Sequence, residues 1–221
     1  MEEQILNAAR AYIRELFSGD SGGHDYWHSI RVANTARELA LQEGADAFIA
    51  ELAALLHDAD DIKLFPDTFA EKLHAVGFLR SYSVPEDAIR KIKDIIKQIP
   101  FNGTGLSVPE SLEGKCVQDA DRLDAIGAIG IARTFAYGGS HGRAIYDPEE
   151  HPRLHMTEEE YRKSSSSSIS HFYEKLLKIR DLMNTESGKK AAEKRDKFMR
   201  DYLDEFYSEW NGGRDLSSPQ S

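Results

Sequence analysis

The sequence has a single cysteine, Cys116, among its 221 residues, so no disulfide bond can form within the chain. It has no run approaching the roughly 20 consecutive apolar residues that a membrane-spanning helix needs. The amino-terminal stretch is charged and amphipathic, without the basic segment and apolar core of a signal peptide. We therefore expect a cytoplasmic protein that has no membrane partner.

Basic residues are too few for a broad positive surface. The chain has 28 Lys and Arg against 38 Asp and Glu, a formal net charge of −10. Binding of nucleic acid needs a basic field, so we expect no nucleic-acid partner. A metal ion and a few cations can reverse the charge locally, so the net charge does not exclude a small phosphorylated substrate. The sequence does not indicate the oligomeric state.

Strand-like alternation of apolar and polar residues is absent, whereas apolar residues recur at helical spacing. The fold class is therefore predicted to be all-α. Helices are expected over residues 2–17, 25–43 and 187–209, among others. With 40% hydrophobic residues and this length, we predict a single domain over residues 1–210. Residues 211–221 are predicted to form a flexible tail.

Several local signals predict how the helices begin and end. Asp46 is expected to cap a third helix. A further helix is expected to carry both Phe69 and Leu73. The string Ser-Val-Pro-Glu at 83–86 is typical of a capping box. Gly and Pro mark a long loop over 137–153, which could act as a mobile lid.

Three of the predicted helices each direct an imidazole or a carboxylate toward the interior. His28, His57 and Asp121 all continue inward apolar rows of their helices, and Asp58 is the immediate neighbour of His57. A buried charge is costly unless it is paired or bound to a metal. Two His and two Asp converging on one point would suit a divalent ion, and imidazole with carboxylate fits Mn, Fe, Zn, Co or Ni better than Ca or Mg alone.

Three sequence blocks carry a family resemblance. They are HSIRVA at 28–33, LLHDADD at 55–61 and DADRLDAIG at 119–127. In this order they resemble the H…HD…D signature of the HD-domain superfamily of metal-dependent phosphohydrolases, and in particular its small single-domain bacterial subgroup. The resemblance implies an HD-domain helical bundle with a metal site between helices. It also implies hydrolysis of phosphate esters or phosphoanhydrides.

Carried over block by block, the resemblance implies that His28, His57, Asp58 and Asp121 bind one divalent metal ion. Asp119 and Asp121 lie two residues apart, about 200° around a helix, so both cannot face the same centre. We favour Asp121, and Asp119 remains either a partner of the site or a solvated carboxylate. Mn²⁺ is the favoured ion, with Mg²⁺, Fe²⁺, Co²⁺, Ni²⁺ or Zn²⁺ as alternatives.

The catalytic residues are predicted to be Asp58, as a metal ligand, and Asp61, which could orient or deprotonate the attacking water. Substrate contacts are expected from cations that meet phosphate oxygens and from rings that stack on a base. These candidates are Lys63, His24, Arg143 and Tyr146. Arg31 and Arg122 are expected to form structural ion pairs.

The resemblance favours a nucleotide as substrate, with a nucleoside triphosphate hydrolysed to monophosphate and pyrophosphate by a metal-activated water. One alternative is a nucleotidase that acts on phosphate monoesters. Another is a non-catalytic sensor that binds metal or nucleotide on the same fold. A di-iron bundle needs two Glu-x-x-His pairs, and the chain offers one, Glu71 to His74. The Glu-Asp pair of the alarmone-hydrolysing branch is replaced here by Asp61 and Ile62.

Overall fold

The computed structural model describes residues 1–18, 26–62, 64–99, 108–153 and 166–213. Within these ranges every regular element is a helix, which confirms the all-α prediction. The α-helices in chain order are α1 (Glu2–Leu16), α2 (Tyr26–Glu43), α3 (Ala47–Leu56), α4 (Pro66–Phe69), α5 (Leu73–Ser81), α6 (Glu86–Gln98), α7 (Leu112–Asp124), α8 (Gly127–Ser140), α9 (Ser168–Glu174) and α10 (Glu186–Trp210). A 3-10 helix, Leu176–Leu182, lies between α9 and α10.

The described residues pack into two compact units. The first comprises Met1–Asp124 with Met183–Gly188, and the second comprises Ala125–Leu182 with Lys189–Ser221. The single domain over 1–210 stays a prediction. Of the expected tail, residues 214–221 lie outside the described residues. No helix in the described ranges has the length and hydropathy that crossing a membrane requires.

Helix α3 is the centre of the first unit. Its residues from Ile49 to Leu56 are all buried, as expected for a mostly apolar helix, and the one charged residue among them, Glu51, pairs with Arg10. Helix α2 packs against both α3 and α7, and α1 and α6 also contact α3. This packing brings the first turn of α2, the carboxyl end of α3 and the last turn of α7 into one unit.

The helix boundaries confirm one local prediction and correct three. Asp46 caps α3, since its Oδ1 accepts a hydrogen bond from the backbone N–H of Ile49 at 3.0 Å. The helix expected through Phe69 and Leu73 is instead divided into α4 and α5, because Lys72 between them is left-handed, with φ 57° and ψ 49°. Two further corrections concern a cap and a loop.

The capping box predicted at 83–86 is wrong. Ser83 has a positive φ of 54°, so it is not placed to cap the helix, and Pro85 occupies the N-cap of α6 without a side-chain hydrogen bond. The loop predicted over 137–153 begins later than expected. Helix α8 continues to Ser140, and the turn starts at His141.

In the second unit, aromatic rings join three helices. Phe135 of α8 lies 6.1 Å from both Phe172 of α9 and Tyr202 of α10, measured between ring centroids. Helix α8 begins at Gly127, whose φ is 78°. The positive φ favours glycine, and an added Cβ would also lie only 3.0 Å from the side chain of Arg195.

Candidate metal centre

Two imidazoles lie at the ends of two helices that pack against each other. His28 lies in the first turn of α2, and His57 directly follows the last residue of α3. The Nδ1 of His57 donates to the carbonyl oxygen of Ala54 at 2.7 Å, and the Nδ1 of His28 donates to Oδ2 of Asp124 at 2.8 Å. In a neutral imidazole, a donating Nδ1 leaves the lone pair on Nε2. Both Nε2 atoms can therefore bind a metal ion.

The two Nε2 atoms are close to the same pair of carboxylates. Oδ2 of Asp58 lies 3.2 Å from Nε2 of His57 and 3.6 Å from Nε2 of His28. Oδ1 of Asp121 lies 3.4 Å from Nε2 of His28 and 4.0 Å from Nε2 of His57. Donor atoms that are each about 2.1 Å from one ion lie about 3–4 Å apart. The observed spacing therefore fits a single metal ion held by His28, His57 and Asp58, and Asp121 lies next to both imidazoles.

The electrostatics of the cluster favour positive charge. Burial alone would lower the pKa of His28, but hydrogen bonds to Asp121 and Asp124 raise it to about 10. Burial opposes charge on His57 as well, yet the charge and hydrogen bond of Asp58 raise its pKa. Burial would raise the pKa of Asp121, and the hydrogen bond and charge of His28 lower it instead. A cluster that holds protons this strongly also suits a divalent cation, which would displace them.

The cluster is open to solvent on the side of Asp121. The side chain of Asp121 is 33% exposed, whereas those of His28 and His57 are 5% and 4% exposed. Asp58 lies between these values at 12%. A catalytic metal site needs an accessible position for water or substrate, and this asymmetry provides one.

Asp124 orients His28 and is itself held by an arginine. Its Oδ2 accepts the hydrogen bond from His28, and Arg31 donates to Oδ1 at 2.7 Å and to Oδ2 at 3.0 Å. Burial would raise the pKa of Asp124, but the hydrogen bonds of His28 and Arg31 hold it far below its usual range. A carboxylate behind a metal-binding imidazole fixes the ring and its tautomer. The ion pair of Arg31 confirms the structural role predicted for it.

The segment that follows α3, residues 57–60, is a turn that contains Asp58 and Asp60. The backbone N–H of Asp61 donates to the carbonyl of Asp58 at 3.0 Å. Asp60 is fully buried, and its two carboxylate oxygens accept from the backbone N–H groups of His74 and Ala75, both at 3.0 Å. The turn is therefore bound to the amino-terminal end of α5.

Comparison with known proteins agrees with this geometry. Residues 26–126 match the HD domain family. The uncharacterized protein YpgQ of Bacillus subtilis is 38% identical over 197 residues, which cover 88% of both chains. The chain belongs to the HD-domain superfamily. A crystal structure of an HD-superfamily hydrolase from Bacillus thuringiensis is similar to this HD protein with a TM-score of 0.79 and 40% identity, covering 96% of this chain and 99% of that one.

A structure of Bacillus subtilis YpgQ in complex with ADP also matches the HD protein. The TM-score is 0.74 at 33% identity, covering 94% of this chain and 96% of that one. Members of the superfamily are metal-dependent phosphohydrolases, and this chain is one of them. HD domains bind divalent metals, and His28, His57 and Asp58 form such a cluster here, with donor atoms within 4.8 Å of one another.

None of the four residues predicted to contact substrate is described in the first unit, which contains the metal cluster. His24 and Lys63 lie outside the described residues. Arg143 and Tyr146 belong to the second unit, where the guanidinium carbon of Arg143 lies 5.2 Å from the ring centroid of Tyr137. Tyr146 packs edge-on against three aromatic rings of α10. Contact of these four residues with substrate stays a prediction.

The sequence analysis assigned no role to Asp124, and it left Asp119 as either a partner of the site or a solvated carboxylate. Asp124 lies three residues after Asp121, so the two share a face of α7, and this spacing was the available signal. Asp119 is not solvated. It is fully buried, and its carboxylate accepts four hydrogen bonds of 2.7–2.9 Å from Asn184 and Thr185. No local pattern could have revealed partners so distant in the sequence.

Proposed function

We propose that this phosphohydrolase cleaves a nucleotide phosphoanhydride, converting a nucleoside triphosphate to a monophosphate and pyrophosphate. The observation that carries the proposal is the convergence of His28, His57, Asp58 and Asp121 at a site open on one side. The ADP bound by YpgQ supports a nucleotide as the ligand. The family resemblance favours release of pyrophosphate over release of orthophosphate from a monophosphate ester.

We propose that the four side chains hold one divalent ion, with Mn²⁺ favoured. Two imidazoles and two carboxylates suit Mn²⁺ better than Mg²⁺, which prefers an all-oxygen environment and retains water. Fe²⁺, Co²⁺, Ni²⁺ and Zn²⁺ are alternatives for the same donor set. When bound, such an ion supplies Lewis acidity, which lowers the pKa of water and neutralises charge on phosphate oxygens.

The remaining chemistry is assigned to the chain's own groups. Asp61, which is partly exposed and follows Asp58 by one turn, accepts a proton from the attacking water. The oxygen of that water bonds to the α-phosphorus, the bond from this phosphorus to the bridging oxygen breaks, and pyrophosphate departs with the bridging oxygen. Asp124 keeps the imidazole of His28 oriented throughout.

Substrate profiling tests the proposal directly. Purified protein with Mn²⁺ is incubated with nucleoside mono-, di- and triphosphates, and the products are separated by chromatography. Formation of monophosphate and pyrophosphate from triphosphates is the expected result. The His57→Ala variant, prepared identically, controls for contaminating phosphatases. Orthophosphate released only from monophosphates would favour a nucleotidase, and no turnover by metal-loaded protein would favour a sensor.

A further inference from the structure

Lys72 has a backbone conformation that lysine seldom adopts. It lies between α4 and α5 with φ 57° and ψ 49°, in the left-handed region. Glycine or asparagine is the usual choice there, because a Cβ crowds the carbonyl that follows it. A lysine in this position suggests a contribution from its side chain that glycine would not supply.

The ammonium of Lys72 is buried with few partners. The residue is 3% exposed, and its Nζ lies 3.4 Å from the carbonyl oxygen of Asp60 and 3.9 Å from the ring centroid of Phe69. Among the described residues it forms no salt bridge. Buried lysines are ordinarily paired with a carboxylate, since burial of an unpaired charge is costly.

The position of this ammonium links it to the turn at 57–61. Asp60 accepts hydrogen bonds from the backbone N–H groups of His74 and Ala75 in the first turn of α5, and Nδ1 of His74 lies 2.9 Å from the carbonyl oxygen of Ala59. Lys72 therefore lies against the base of the turn that carries the His-Asp pair. Burial lowers the pKa of Lys72, while the charges of three aspartates of this turn, Asp58, Asp60 and Asp61, act in the opposite direction.

We propose that Lys72 is a positioning residue for anion binding: its buried ammonium offsets the negative charge of the aspartate-rich turn, so that a phosphoryl group can bind beside it. The inference rests on the proposed function, in which a phosphate ester or anhydride reaches this site. The chain has a net charge of −10, so its overall field repels such a substrate. A cation fixed beneath the turn acts at short range, where water screens it least.

A purely structural role for Lys72 predicts a different response to mutation. Removing a nearby positive charge favours a bound cation and disfavours a bound anion. Loosening the turn would instead weaken both, because Asp58 would lose its position. The direction of change in Mn²⁺ affinity therefore separates the two roles.

The test measures two equilibria that need no turnover. Mn²⁺ binding is followed by electron paramagnetic resonance, and binding of inorganic phosphate to Mn²⁺-loaded protein by equilibrium dialysis. Lys72→Met keeps most of the stem and removes the charge. Lys72→Gly removes the same charge and suits the left-handed backbone, so it provides the answer if the Met variant does not fold. Lys72→Arg keeps the charge.

Lys93→Met is the matched control. Lys93 pairs with Glu71 on the surface of the same unit, with Nζ 2.8 Å from Oε2, and this variant also replaces one lysine with methionine. Phosphate should bind about tenfold more weakly to the Met and Gly variants of Lys72, with Mn²⁺ affinity unchanged or higher. Lys72→Arg should stay within about threefold of wild type, and Lys93→Met should match wild type.

Three results would overturn the proposal. The first is phosphate affinity in Lys72→Met and Lys72→Gly equal to that of wild type. The second is a wild-type protein that binds Mn²⁺ but no phosphate. The third is a parallel loss of Mn²⁺ and phosphate binding, which indicates a structural role. If wild type turns over no nucleotide yet binds phosphate in a Lys72-dependent way, the nucleotide assignment fails and the role of Lys72 stands.

Discussion

The Nδ1 of His28 lies 2.8 Å from Oδ2 of Asp124, and Arg31 binds both oxygens of the same carboxylate. The imidazole is thereby fixed with Nε2 directed toward Asp58 and Asp121. An anionic partner also makes the ring a stronger electron donor than a neutral partner would. The affinity of the site for metal should therefore depend on a residue that is not one of the four proposed ligands.

Asp124→Asn tests this dependence. The amide oxygen can still accept from Nδ1 of His28, but the negative charge is lost and the ion pair with Arg31 is broken. We expect Mn²⁺ to bind about 10–100-fold more weakly, as measured by titration with electron paramagnetic resonance. Asp94→Asn, which alters an exposed carboxylate on α6, is the control and should bind Mn²⁺ like wild type. A dissociation constant within about twofold of wild type for Asp124→Asn would contradict the assignment.

Removal of a proposed metal ligand should weaken metal binding more than Asp124→Asn does. His57→Ala and Asp121→Ala each delete a donor that lies within 4.0 Å of another donor in the cluster. We expect each variant to lose bound metal in elemental analysis and to lose hydrolytic activity by at least about 100-fold. Full metal content together with full activity in either variant would show that the metal binds elsewhere.

The sequence predicts the convergence of His28, His57 and Asp121, because each residue continues an apolar row of its predicted helix. The sequence alone could not show which aspartate of α7 faces the metal site, which one orients His28 and which one is structural. Asp119, Asp121 and Asp124 share one string, and their functions depend on contacts with α2 and with residues 184–185. The unusual backbone of Lys72 was equally hidden, since Phe69 and Leu73 retain helical spacing across it.

Asp119 should prove important for stability. Its carboxylate is fully buried and accepts hydrogen bonds from backbone and side chain of both Asn184 and Thr185. Asp119→Ala leaves these donors without an acceptor, so we expect the free energy of unfolding to fall by about 3–5 kcal/mol in urea denaturation. Glu110→Ala, at an exposed position before α7, is the control. A loss below about 1 kcal/mol for Asp119→Ala would be inconsistent with this network.

Gly188→Ala disturbs the same network from the opposite side. An added Cβ would lie 2.3 Å from Oδ2 of Asp119 and 2.7 Å from Oγ1 of Thr185, well inside contact distance. We expect a loss of about 1–3 kcal/mol in the free energy of unfolding, because the carboxylate must shift away from its donors. Gly77→Ala is the matched control, since a Cβ on that helical glycine meets no atom within 4 Å. Equal stability of the two variants would argue against tight packing around Asp119.

His171 should make the protein sensitive to acid independently of any metal. Burial, together with the charges of Lys175 and Arg143, lowers the pKa of His171 to about 4. Unfolding returns the group to a pKa of about 6.5, so the unfolded chain binds the proton more readily. The stabilising contribution is complete above about pH 6.5 and is lost as the pH falls toward 4.

His171→Gln removes this titration while keeping a neutral polar side chain. Between pH 7.5 and 4.5, wild type should lose about 1–3 kcal/mol more of its free energy of unfolding than the variant, as measured in urea. Carboxylates that titrate in the same range are common to both proteins and cancel in this difference. His151→Gln removes an exposed imidazole from the same unit and should follow wild type across the range. Parallel pH profiles for wild type and His171→Gln would mean that this imidazole is not held neutral by its surroundings.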